Sequence, residues 1–129
     1  MALLHCELDS KSVRMPTSVM VILPQDVISA SQPPKVLYLL HGCSHNYSVW
    51  SRYTSLERYC LPYNLAVIMP EVNRSFYTDM AYGPEYFTYI TEELPGLCES
   101  MFHISISSED RYIAGISMGG YGCLKAALS

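Results

Sequence analysis

The stretch that decides the fold is Tyr112–Gly122, YIAGISMGGYG. A β-prone apolar segment runs straight into Gly115-Ile116-Ser117-Met118-Gly119 and then into residues of helical composition. This is G-x-S-x-G in its proper context, with a strand before it and a helix after it. In such a turn the serine backbone is strained, and its neighbours two residues away need to be nearly free of side chain. Gly115 and Gly119 supply that room, and Gly120 is expected to let the helix pack close to the strand. The hydroxyl of Ser117 then projects above the C-terminal edge of the sheet, at the positive end of a helix, where open α/β sheets bind ligands. A plain βα turn would use the same glycines, so the pattern needs a second matching element.

That element is Leu39–Trp50, LLHGCSHNYSVW. A serine that attacks a carbonyl develops an oxyanion, which needs two preorganised N–H donors. One donor comes from the residue after the nucleophile, here Met118. The other comes from the loop that follows His41-Gly42, and it is assigned to the Cys43 amide. Gly42 allows the backbone to turn inward.

The rest of the chain supplies a frame for these two elements. Leu3–Leu8 and Val13–Leu23 are β-prone runs joined by the turn Asp9–Ser12, and Pro16 in the second suits an edge strand or a bulge. Ile28–Pro34 reads as a surface connector. Lys35–Gly42 and Leu65–Pro70 are continuous apolar runs, as expected of strands buried on both faces. Val49, Tyr53, Leu56 and Cys60 recur at helical spacing over Ser48–Leu61, with Ser48 as N-cap. A second helix is predicted over about Pro84–Met101, with Tyr86 or Phe87, Ile90, Leu94, Leu97 and Met101 on its apolar face and a kink at Pro95. Buried strands alternating with helices imply right-handed parallel βαβ units.

The composition agrees. The 129 residues are 50% hydrophobic and 16% charged, which fits one globular domain with a core. A net charge of −4 and a pI near 5.4 give no basic patch for nucleic acid or an anionic membrane. No signal peptide, membrane span or metal-ligand spacing is read, and neither glycine cluster fits a nucleotide-binding pattern. The odd set Cys6, Cys43, Cys60, Cys98 and Cys123, without CxxC spacing, points to free thiols and a cytoplasmic setting.

The segments LYLLHG with Trp50 following, VIMPEVNRSFYTD, YITEELPGLCESMF and RYIAGISMGGYG resemble the esterase D and tributyrin-esterase-like branch of the α/β-hydrolase superfamily. This branch includes S-formylglutathione hydrolases, feruloyl and acetyl-xylan esterases and mycolyltransferases, and the likeness covers nearly all of Val36–Ala127. The resemblance implies an α/β-hydrolase-type three-layer sandwich, a mostly parallel sheet with an N-terminal antiparallel hairpin. Residues 1–129 would be a single unit, the N-terminal part of that domain, ending after the nucleophile-elbow helix. It implies Ser117 as nucleophile, Cys43 and Met118 as oxyanion amides, and Asn73–Asp79 as the border of the acyl pocket, with Arg74 and Tyr77 as polar contacts. No cofactor is expected.

Members of this superfamily order the triad as Ser, then Asp or Glu, then His. The twelve residues after Ser117 hold neither an acid nor a histidine, and His5, His41, His45 and His103 all precede it. His41 is expected to brace the oxyanion loop, and His45 lies where a surrogate base could reach. The expectation is therefore a parent serine carboxylesterase for short acyl esters, with this chain alone nearly inactive. A thioesterase or acyltransferase on the same scaffold is the alternative, and a non-catalytic fragment that binds acyl ligands or a complementary chain is a third reading. The strand carrying Ser117 would present an open edge, expected to pair with a C-terminal part, with another polypeptide or with a second copy.

Overall fold

The computed structural model describes residues 1–25 and 32–129. Five strands form one mixed sheet in the order β1-β2-β4-β3-β5: β1 (Ala2–Ser10), β2 (Met15–Leu23), β3 (Lys35–Leu40), β4 (Leu65–Pro70) and β5 (Arg111–Gly115). β1 and β2 make the expected antiparallel hairpin, and β2 continues antiparallel onto β4. β3 lies between β4 and β5 and is parallel to both. Pro16 sits on the part of β2 that runs past its pairing with β4, so its missing N–H removes no bond on that side. Of the connector Ile28–Pro34, residues 28–31 lie outside the described residues.

Alternation along β3 and β4 builds two cores. Val36, Tyr38 and Leu40 of β3, with Ala66 and Ile68 of β4, face one side and pack with Tyr86, Tyr89, Ile90, Leu94, Cys98 and Met118. Leu39, Val67 and Met69 face the other side and pack with Trp50, Leu56 and Cys60. Helices therefore cover both faces, which is why these strands read as unbroken apolar runs.

Two helical expectations need correction. The single helix over Ser48–Leu61 is two short ones, α1 (Val49–Tyr53) and α2 (Leu56–Cys60). Between them Thr54 is extended at φ −134, ψ 166, its hydroxyl turned back onto the Trp50 carbonyl and accepting from the Leu56 N–H. Ser48 stands at the N-cap position of α1, but its side chain makes no cap bond and donates to Asn46 Oδ1 at 2.6 Å.

The second helix spans Tyr86–Met101 and contains a π-helical turn, Tyr89–Glu93, between α3 (Tyr86–Thr88) and α4 (Leu94–Met101). The Leu94 N–H reaches back five residues to the Tyr89 carbonyl, and Pro95 comes next, at the start of α4, where its missing N–H is not needed. The extra residue in that turn rotates the remainder of the helix about its axis. Cys98, not Leu97, is buried beneath Leu94, and Met101 is 47% exposed.

Candidate active site

β5 ends at Gly115 and α5 (Met118–Leu128) starts three residues later, so the chain reverses within Ile116–Ser117. Ser117 takes φ 55, ψ −116, a backbone conformation that residues with a Cβ rarely adopt. Its exposed side chain makes no capping hydrogen bond to the helix it precedes. The tightness of the turn fixes its neighbours. A Cβ on Gly115 would stand 2.5 Å from the Gly119 carbonyl carbon, and one on Gly119 would stand 2.4 Å from the Leu40 oxygen. Gly120 is different: its nearest neighbour would be 3.7 Å away, so Gly119, not Gly120, sets the approach of helix to strand.

The loop after β3 closes over the same point. A Cβ on Gly42 would lie 3.5 Å from Ser117 Cβ and 3.5 Å from His45 Nδ1, so the loop backbone, the serine and the exposed His45 meet there. The Gly42 carbonyl takes two bonds, from His41 Nδ1 at 2.8 Å and from the His45 N–H at 3.2 Å. Across a trans peptide, the Cys43 N–H points opposite to that carbonyl, so these bonds fix its direction. Among the described residues the Cys43 and Met118 amides donate to no acceptor. The adjacent Gly119 N–H, by contrast, bonds the Ile116 carbonyl at 2.8 Å.

His41 is 1% exposed and holds this loop through both ring nitrogens. Its Nε2 is 3.1 Å from the Val72 N–H and 3.1 Å from Glu71 Oε2. A neutral ring accepts from Val72 and a cationic one pairs with Glu71. In either state Nδ1 carries a proton directed at the Gly42 carbonyl. Burial alone would raise the Glu71 carboxyl. Hydrogen bonds from His41 and from the Asn73 and Tyr47 amides outweigh it and hold the group below the usual carboxylate range.

The segment Asn73–Asp79 divides its predicted contacts. Exposed Arg74 borders a depression of about 580 Å3 beside Cys43, His45 and Asn73, and among the described residues no carboxylate lies within 4.0 Å of it. Tyr77 does not line that depression. It is 1% exposed, and its hydroxyl donates to the His41 carbonyl at 3.2 Å, so the expected polar contact with substrate is corrected to an internal one. Sequence reading misses the residues that receive Tyr77: Gly122, whose Cβ would stand 2.5 Å from the ring, and Lys125, whose Nζ donates to the Tyr77 carbonyl at 2.7 Å. A signal for the first exists, because a glycine inside a helix costs about 1 kcal/mol relative to alanine and so marks a close approach. A depression of about 610 Å3 lies at the opposite end of β3 and β4, near Lys35 and Leu65, and offers no such junction.

The comparisons with known proteins agree with this geometry. A family model described as "Putative esterase" matches residues 10–129. An acetyl esterase of Caldicellulosiruptor saccharolyticus is 35% identical over 136 residues, covering 99% of this chain and 51% of that protein. The fluorophosphonate-binding serine hydrolase FphF of Staphylococcus aureus, solved with substrate bound, is 42% identical with a TM-score of 0.91, over 98% of this chain and 51% of that one. The S-formylglutathione hydrolase FrmB of Staphylococcus aureus is also 42% identical, with a TM-score of 0.88, over 98% and 52%. The chain spans about half the length of each of these relatives. With the family model matching residues 10–129 and two serine-hydrolase structures alike at 42% identity, the chain belongs to that esterase family of the α/β-hydrolase superfamily.

Proposed function

We propose that the whole protein is a serine carboxylesterase that hydrolyses short-chain acyl esters of the tributyrin type through an acyl-enzyme on Ser117. The observation that carries this reading is the strained Ser117 backbone at φ 55, ψ −116, with the side chain exposed and its Cβ 3.5 Å from where a Cβ on Gly42 would stand. In this scheme Ser117 Oγ attacks the ester carbonyl carbon, and the resulting oxyanion takes hydrogen bonds from the Cys43 and Met118 amides. Collapse breaks the ester C–O bond, the alcohol leaves with the proton lost from Oγ, and the acyl group stays on Oγ. Water then adds to the acyl carbon, releases the acid and returns a proton to Oγ. Both ring nitrogens of His41 are committed to the loop, so it braces and does not serve as the base. The acetyl esterase relative supports a short acyl group. Exposed Arg74 and Asn73 border the depression that Cys43 and His45 also line, and are the side chains proposed to meet the substrate.

A fluorophosphonate probe should label Ser117 in the protein expressed from its complete reading frame and spare Ser117→Ala. Equal labelling of both would overturn the assignment.

The likeness to an S-formylglutathione hydrolase favours a second reading, a thioesterase on the same serine. Relative kcat/KM for p-nitrophenyl butyrate and S-formylglutathione separates the two. A preference of about 10²-fold for the thioester would make it the natural class, because that margin corresponds to about 2.7 kcal/mol of transition-state binding.

A further inference from the structure

We infer that Tyr77 is a positioning residue for the oxyanion loop, a buried strut that sets the distance and orientation between the Ser117 helix and the His41–Cys43 peptides. The inference rests on the reading of Ser117 as nucleophile and of the Cys43 amide as an oxyanion donor.

Three elements meet on this one side chain. Its ring lies against the Gly122 backbone, one turn into α5 beyond Ser117, so closely that a Cβ there would stand 2.5 to 2.8 Å from ring carbons. Its hydroxyl donates to the His41 carbonyl, on the peptide that precedes Gly42. Its own carbonyl accepts from Lys125 Nζ at 2.7 Å, and that ammonium also sits 4.5 Å from the centre of the Phe87 ring. The tyrosine therefore contacts the helix at one edge and the loop at its oxygen, with a rigid six-membered ring between them.

The backbone around Tyr77 shows what holds it there. Phe76 and Tyr77 both adopt positive φ, 50 and 56, which a bulky side chain takes only when its surroundings impose it. The Tyr77 N–H is held by Ser75 Oγ at 3.1 Å, and the next turn closes from Thr78 N–H to the Ser75 carbonyl at 3.3 Å. Burial pushes the phenol well above its ordinary pKa, and the nearby Cys123 and Glu71 push the same way, so the group stays a donor across any usable assay pH. The contacts of Gly119 with the Leu40 and His41 oxygens and of Gly42 with Ile116 and Ser117 limit approach, and among the described residues they supply no hydrogen bond between helix and loop. Tyr77 is thus the side chain that ties the helix to the His41–Gly42 peptide.

The test compares Tyr77→Phe with wild type and Ser117→Ala in the complete protein, using active-site-titrated enzyme and p-nitrophenyl butyrate. Tyr77→Phe keeps the ring and loses only the bond to His41. We expect kcat to fall about tenfold with KM within about twofold, less than the 10²–10³ of deleting an oxyanion donor outright. The affinity of a trifluoromethyl ketone, whose adduct presents the oxyanion, should fall by the same factor. Lys125→Met, which keeps the side chain's length and removes the donor to the Tyr77 carbonyl, should lower kcat by about threefold, in the same direction and by less. It serves as the second variant should Tyr77→Phe fold poorly. If Ser117→Ala is inert while both variants keep wild-type kcat and ketone affinity, the positioning role is overturned and the nucleophile stands. If Ser117→Ala retains turnover, both readings fall.

Discussion

Two bends at the C-terminal edge of the sheet put non-glycine residues at positive φ, and they hold that strain by opposite means. At Ser117 the bend is walled by backbone: Gly115 and Gly119 leave no room for a Cβ, and Leu40 and His41 oxygens press on the helix start. In Asn73–Asp79 there is no glycine, yet Asn73, Phe76 and Tyr77 all have positive φ. Here the anchors are side chains: Asn73 Nδ2 donates to Tyr86 Oη at 2.7 Å, Tyr77 is buried, and Asp79 accepts from the Thr88 amide and hydroxyl at 2.9 and 2.6 Å. A conformation imposed by excluded volume tolerates no added atoms. One imposed by anchors tolerates additions away from the anchors and fails when an anchor is removed.

The largest expected effect breaks the first bend. Gly119→Ala places a Cβ 2.4 Å from a backbone oxygen that cannot move cheaply, so denaturant unfolding should show a loss of more than about 3 kcal/mol. Gly120→Ala, one residue on, has room and should gain about 0.5–1 kcal/mol from helix propensity. Equal penalties at the two positions would show that packing at Gly119 is not the constraint. Gly122→Ala strikes where the bends touch. The Tyr77 ring must yield, and a cost of about 1–3 kcal/mol is expected from the same measurement.

Smaller effects sharpen the contrast. Ser117→Gly removes a Cβ from a strained backbone and should raise stability by about 1 kcal/mol while abolishing probe labelling. A stability loss on that change would mean that the bend holds no strain.

The smallest effect concerns pH, at an anchor away from both bends. Glu93, in the π-helical turn, accepts from the Ser10 hydroxyl and from the Lys11 and Ser12 amides of the β1–β2 turn. Burial raises its pKa, and these bonds lower it further than burial raises it, so the folded value lies below the ordinary 4.5. A depressed carboxylate contributes stability that is complete above the unfolded value and is lost as pH falls through the folded one. Wild-type stability should therefore decline below about pH 4.5. Glu93→Gln should start lower at neutral pH and decline less steeply, and parallel curves would contradict the assignment.

The contrast also explains how much of the molecule is legible in its sequence. Excluded volume is written in glycine, so Gly115-Ile116-Ser117-Met118-Gly119 and His41-Gly42 can be read directly, and so can the apolar runs of β3 and β4. β5, at the sheet edge, buries no residue fully, although its sequence is also β-prone. Anchors are written in ordinary polar residues that could face anywhere. Nothing in NRSFYTD separates an Arg74 at the depression from a Tyr77 turned inward, because that choice depends on Gly122 and Lys125, more than forty positions later. The π-helical turn is hidden for a related reason. It adds one residue to a helical period, and Leu97 and Cys98 are both apolar enough to pass as the buried face. The break at Thr54 depends on one hydroxyl that turns back to a carbonyl, while the apolar spacing runs straight through it.

The central claim is that Ser117 carries the acyl group. The complete protein, mixed with excess p-nitrophenyl butyrate and quenched in acid within its first turnovers, should yield a butyryl adduct on the peptide that holds Ser117, and none in Ser117→Ala. A butyryl group found instead on Cys43, or ester turnover that survives in Ser117→Ala, would contradict it.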